Sequence, residues 1–161
     1  MNAPYPLDEA LGYISSPRAD AADAVGPAVH GEDTPEQHWR WRLHFAERIA
    51  AELDPNRFGV VAFYVLGSTK NATAGPGSDI DLILHIRCSE EQRRDLDGWL
   101  EGWSRCLSEV NYLRTGYRTT GGLLDVHFLT DDDLERKTSF AAKIGAITDP
   151  AREIPLKRRG G

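Results

Sequence analysis

Hydrophobic positions along this chain recur with two different periods. Trp39, Leu43, Ala46, Ala50 and Leu53 return every three or four residues, and Phe45 and Ile49 widen the stripe, which predicts an amphipathic helix. Thr34-Pro35-Glu36-Gln37 starts it with a capping box and a proline at the first helical position, and Asp54-Pro55-Asn56 stops it. A second helical stripe, Leu96, Trp99, Leu100, Trp103, Cys106, Leu107 and Val110, follows the capping box Ser89-Glu90-Glu91-Gln92. It predicts a helix reaching about residue 109, with Cys106 as buried filler and Arg93, Arg94 and Arg105 on the solvated side. Between and after these helices lie three apolar runs of strand length: 59–66, 79–86 and 123–129. Thr130 then caps a third helix, expected to reach about residue 142, whose acids at 131–133 complement the helix dipole.

The chain ends have no sustained period. Residues 1–33, rich in Ala, Pro, Gly and Asp, read as a loosely ordered arm with short helical turns near 7–13 and 19–24. The basic, proline-containing stretch at 146–161 reads as an irregular tail, which leaves 34–145 as one α/β domain.

Two of the apolar runs carry acids. Asp79 and Asp81 are two apart, so on a strand both carboxylates project from one face while Ile80 and Leu82 point to the other. Carboxylates this close repel one another unless a cation sits between them, and the oxygen donors suit a hard divalent ion, Mg²⁺ or Mn²⁺. Such an ion leaves coordination positions to substrate phosphates, and Gly67 and Ser68, closing the first run, can offer backbone N–H groups and a hydroxyl to them. Asp125 is the one acid inside the third run, where a charge is costly unless it is paired or bound to a metal. His127 shares its face as a supporting group or proton carrier, and His85 lies farther along the second run. Trp39, Trp41 and Phe45 could stack a base, but at helical spacing an aromatic stripe is more often core.

The order Leu66-Gly67-Ser68, a ten-residue spacer, then Asp79-Ile80-Asp81-Leu82-Ile83-Leu84, resembles the signature of the DNA polymerase β-like nucleotidyltransferase superfamily. The resemblance covers roughly residues 58–129. It implies a small mixed β-sheet with helices packed on one face, and transfer of a nucleotidyl group from a nucleoside triphosphate, ATP first among them, to a hydroxyl of a small molecule or protein. It matches Asp125 to the third carboxylate of that superfamily, so Asp79, Asp81 and Asp125 become the expected catalytic and metal-binding residues. Gly67, Ser68, Lys70 and Ser78 are the residues expected to touch the nucleotide. Many short members carry Ala-Arg-Gly soon after the Gly-Ser; here the stretch is Thr69-Lys70-Asn71-Ala72-Thr73, and Lys70 is the substitute, without the planar fork of a guanidinium.

Composition narrows the picture. The 161 residues are enough for one domain with a core, and a net charge of −6 argues against a broad basic face for duplex nucleic acid. Two cysteines outside any metal-ligand spacing, no signal peptide and no membrane-length apolar stretch point to a cytoplasmic protein. No sizeable second domain follows Asp125, so acceptor recognition is expected from the N-terminal arm, from residues 112–118, from a second copy in a homodimer, or from another protein. The competing expectation is a non-catalytic nucleotide-binding regulatory domain or an antitoxin-like interaction module. Possession of all three carboxylates favours the enzyme.

Overall fold

The computed structural model describes residues 34–157, so the arm expected over 1–33 and the last four residues lie outside the described part. Helix α1 (Pro35–Glu52) is followed by a single turn, α2 (Pro55–Phe58), and strand β1 (Val60–Leu66). A short helix α3 (Gly67–Lys70) and the spacer lead to β2 (Ile80–Ile86), and α4 (Glu90–Thr115) crosses back to β3 (Leu124–Leu129). Helix α5 (Asp131–Arg136), a 3₁₀ turn (Ala141–Lys143) and β4 (Arg152–Ile154) complete the described chain.

The four strands form one mixed sheet in the order β3-β2-β1-β4. β1 pairs antiparallel with both β2 and β4, whereas β2 and β3 run parallel. A parallel neighbour cannot be reached by a tight turn, and α4 is the crossover that makes the pairing possible. Central β2 is buried on both faces, which explains why its sequence is nearly continuous in apolar residues apart from Asp81 and His85.

On one face, Phe63, Val65, Ile80, Leu82, Leu84 and Ile86 form the main core with Trp41, Phe45 and Ile49 of α1 and Leu96, Leu100 and Leu107 of α4. The opposite face is covered at one end only, where Ile83 and Leu129 pack beneath Ala141 with Leu134, Ile144 and Ala151 around them. Both long helices therefore lie on one face, as the resemblance implies, and the other face is left open at the end that carries the acids.

The capping boxes stand where the sequence puts them. The Thr34 N–H donates to Gln37 Oε1 at 2.7 Å, and the Gln92 N–H donates to Ser89 Oγ at 3.2 Å.

Four expectations need correction. α4 continues past residue 109 to Thr115, because Asn111 turns into the core with its amide fully hydrogen-bonded and Gly116, at φ 73°, forms the left-handed cap. Cys106 is exposed, since the buried line of α4 runs through Leu96, Leu100, Ser104, Leu107 and Asn111. α5 ends at Arg136 instead of near 142, with Lys137 left-handed at φ 52° as its cap. The tail is not wholly irregular: residues 152–154 are edge strand β4, with Ile154 opposite Phe63 and buried.

Candidate functional site

Strand register brings the acids together. In the parallel β2–β3 pair Asp81 lies opposite Asp125 and Ile83 opposite His127, so alternation aims Asp81, Asp125 and His127 from the same open face. One ligand atom from each of these three side chains lies within 4.8 Å of the other two, and His127 Nε2 is 3.4 Å from Asp125 Oδ2. The ring of His127 is fixed by stacking on Phe140, with centroids 3.7 Å apart.

Electrostatics mark the same place. Half-burial, reinforced by the neighbouring Asp125 and Asp79 charges and only partly offset by His127, pushes the Asp81 carboxyl up to about 6. Asp79 sits just before β2 and outside the tight trio, but partial burial and the Asp125 charge raise its carboxyl too, against the opposing pull of Arg42. Mutually repelling carboxylates with a nearby imidazole form an O,O,N donor set that suits a divalent cation. The residues present fit the metal that the sequence calls for.

Gly67 makes room for this cluster in a way the sequence does not reveal. Its φ is +68°, and a Cβ there would overlap Asp81 Oδ2 and stand 3.3 Å from Asp81 Cγ. The sequence suggests that a glycine here admits phosphate; in the structure the space beside Gly67 holds the Asp81 carboxylate. Leu66, its neighbour, is the antiparallel partner of Asp81, which is why the end of β1 and the acid meet. Ser68 is half-buried at the start of α3, and its carbonyl accepts from the Thr73 N–H at 2.9 Å.

Two other expected nucleotide contacts point elsewhere. The Lys70 ammonium donates to Asp149 Oδ1 at 2.6 Å and to the Pro150 carbonyl at 2.9 Å, clipping α3 to the segment before β4. Ser78 works inside the spacer: its hydroxyl accepts from the Gly75 N–H at 2.9 Å, and its own N–H donates to the Gly75 carbonyl at 3.1 Å. His85 lies at the far end of β2, 2.7 Å from Asp131, and takes no part in the cluster.

What holds Asp79 in position is a buried polar clamp. Arg42, fully buried on α1, donates to the carbonyls of Ser78 (3.0 Å), His38 (2.9 Å) and, at the 3.5 Å limit, Pro76, and to Asn111 Oδ1 (2.8 Å). Asn111 Nδ2 in turn donates to the carbonyls of Pro76 (2.9 Å) and Tyr117 (3.2 Å). A planar guanidinium with several fixed donors suits such a task better than an ammonium would. At the entry to β3, the Leu123 N–H and Leu124 N–H donate to the carbonyl and hydroxyl of buried Ser104, both at 3.0 Å, and Gly122 leaves space for that hydroxyl. The sequence does hold a signal for these residues: Arg42, Ser104 and Asn111 are polar side chains at core positions of helical stripes.

Among the described residues no helix is long and apolar enough to cross a membrane. The family described as the nucleotidyltransferase domain matches residues 46–138, which span β1, the spacer, β2, α4, β3 and α5. No curated protein and no solved structure matches the chain.

Proposed function

The chain belongs to the nucleotidyltransferase domain family, and from that premise we propose that it moves a nucleoside monophosphate from a nucleoside triphosphate, ATP first among them, to a hydroxyl of a small molecule or protein. The observation that carries this reading is the parallel register of Asp81 with Asp125 on the open face of the sheet, with His127 in reach of both. Asp81 and Asp125, with Asp79 and His127 beside them, are the residues that would hold Mg²⁺ or Mn²⁺. Once bound, such an ion neutralises triphosphate charge and lowers the pKa of a reacting hydroxyl.

The chain's own residues supply the rest. Asp125, exposed on the edge strand, accepts the proton of the acceptor hydroxyl. The acceptor oxygen's electron pair then forms the new bond to the α-phosphorus as the bond from that phosphorus to the bridging oxygen breaks, and pyrophosphate leaves with the electrons of the broken bond. Gly67 and Ser68 flank the triphosphate. Lys70 is held by Asp149, so the triphosphate is gripped chiefly from the Gly67-Ser68 step and the carboxylate site. Acceptor contacts come from residues 112–118, from the N-terminal arm, or from a second chain.

The test is incubation with labelled ATP, GTP, CTP and UTP, Mg²⁺ and a panel of hydroxyl acceptors, read as metal-dependent pyrophosphate release. Asp125→Asn should cut turnover by about 10²-fold or more and leave nucleotide binding largely intact, whereas Asp79→Asn should weaken both. Equal, mild losses from the two changes would mean that these roles are misassigned.

One observation favours a second reading. Lys70, the cation nearest the Gly67-Ser68 step in sequence, is committed to Asp149 and the Pro150 carbonyl, as suits a module that senses nucleotide without turning it over. That module would bind nucleoside triphosphate in the test above and release no pyrophosphate.

A further inference from the structure

We infer that Tyr117 is the platform on which the nucleobase of the donor nucleotide stacks, an assignment that rests on the nucleotidyltransferase reading above. Four large hydrophobic side chains are exposed among the described residues; one of them, Phe140, is stacked on His127, and another, Tyr117, lies against the spacer that leads into Asp79. Phe140 already presents a face to His127. Tyr117 lies against the spacer, where a Cβ on Gly77 would stand 3.0–3.3 Å from its Cζ, hydroxyl and Cε1 atoms. Gly77 is two residues before Asp79, and consecutive Cα atoms are about 3.8 Å apart, so the ring sits within about 8 Å of the Asp79 backbone plus one van der Waals contact. That puts the ring on the Asp79 side of the proposed phosphate site.

The ring is mounted rigidly and yet left open. Its backbone is fixed by polar contacts that do not use the ring: the Tyr117 N–H donates to Thr115 Oγ1 at 3.1 Å, and its carbonyl accepts from buried Asn111 at 3.2 Å. Two residues on, the hydroxyls of Thr119 and Ser108 are 2.5 Å apart, which ties the same loop to α4. Asn111 also holds Pro76, so one buried amide sets the loop that carries the ring and the spacer that leads into Asp79 in a common frame. Meanwhile 49% of Tyr117 remains exposed, so its ring adds little to the core.

A fixed ring with free surface beside a phosphate site gives a flat partner a low-entropy place to stack. Of the two substrates, only the donor must carry a planar aromatic group, its base. Stacking of this kind tolerates different bases but favours the larger purine surface.

The inference is tested by titrating the full chain, with Mg²⁺ present, with ATP, UTP and inorganic tripolyphosphate, for wild type, Tyr117→Phe and Tyr117→Ala. Melting temperatures are recorded alongside, and because the loop is held by backbone contacts, Tyr117→Ala should melt close to wild type. The expected result is a roughly 5- to 100-fold loss of ATP affinity in Tyr117→Ala, near-normal ATP affinity in Tyr117→Phe, and tripolyphosphate affinity within about twofold in all three. The preference of wild type for ATP over UTP should shrink in Tyr117→Ala. Unchanged ATP affinity in Tyr117→Ala overturns the stacking role, as does an equal loss for ATP and tripolyphosphate, which would mean that the ring acts on the loop. A wild type that binds tripolyphosphate and ATP equally also refutes the base platform, while leaving the phosphate site intact. A wild type that binds neither refutes the nucleotidyltransferase reading beneath it.

Discussion

Gly67 and Asp81 form a pair in which each constrains the other. A methyl group at Gly67 would meet the Asp81 carboxylate, and the positive φ at that position penalises any residue with a Cβ. Gly67→Ala should therefore lower stability by about 1–3 kcal/mol and weaken metal binding at the same time, measured by denaturant unfolding and by calorimetry with Mn²⁺. Loss of stability with unchanged Mn²⁺ affinity would separate the glycine from the site. Asp81 itself predicts a pH dependence in the metal-free protein. Burial and the like charges of Asp125 and Asp79 hold its carboxyl at about 6 in the folded state, above its ordinary value. The folded chain then binds the proton more tightly than the unfolded chain, so this contribution to stability is complete below about pH 4 and is lost as pH rises through about 6. Asp81→Asn should accordingly raise the melting temperature near pH 7.5 and have little effect near pH 4. The gain should be on the order of 1 kcal/mol, because solvent screens a half-exposed carboxylate. A destabilised Asp81→Asn at pH 7.5 would show that the repulsion is not felt. The acids were legible in the sequence because a charge inside an apolar strand has to be explained; the glycine's role was not, since which atom fills the space beside it depends on strand register.

At the scale of elements, α1 does more than cover the sheet. Arg42 reaches from its buried face to the spacer and to Asn111 of α4, so two helices and a loop share one hydrogen-bonded knot. Arg42→Met should leave several buried carbonyls and an amide oxygen without donors, costing about 3–5 kcal/mol by denaturant unfolding. Arg42→Lys should recover only part of this, since an ammonium lacks the fork. A loss below about 1 kcal/mol for Arg42→Met would mean that the knot is incidental. Periodicity revealed α1, α4 and the three long strands because their apolar spacing and capping boxes are local signals. The errors fall where a long-range contact decides. Cys106 lies about 80° around α4 from the line through Leu96, at the edge of the stripe, so its burial could not be read from spacing. Asn111, past the expected end of the helix and a weak helix former, belongs to α4 because its amide is satisfied in the core. β4 is three residues long and exists because β1 offers it an edge, which no local pattern encodes.

For the molecule as a whole, a net charge of −6 and a cluster of carboxylates on an open sheet face make anionic nucleotide binding unfavourable unless a cation intervenes. The central claim is that Asp81, at the centre of the carboxylate cluster, anchors that cation, and that nucleotide binding depends on it. The most direct measurement is calorimetric titration of ATP into the full chain with Mg²⁺ or Mn²⁺ and again with a chelator, in wild type and in Asp81→Asn. Wild type should bind ATP at least about tenfold more tightly with metal than without, because the phosphates complete the metal's coordination, and Asp81→Asn should lose most of that difference. Equal ATP affinity with and without metal in wild type, or a metal effect undiminished in Asp81→Asn, would contradict the account.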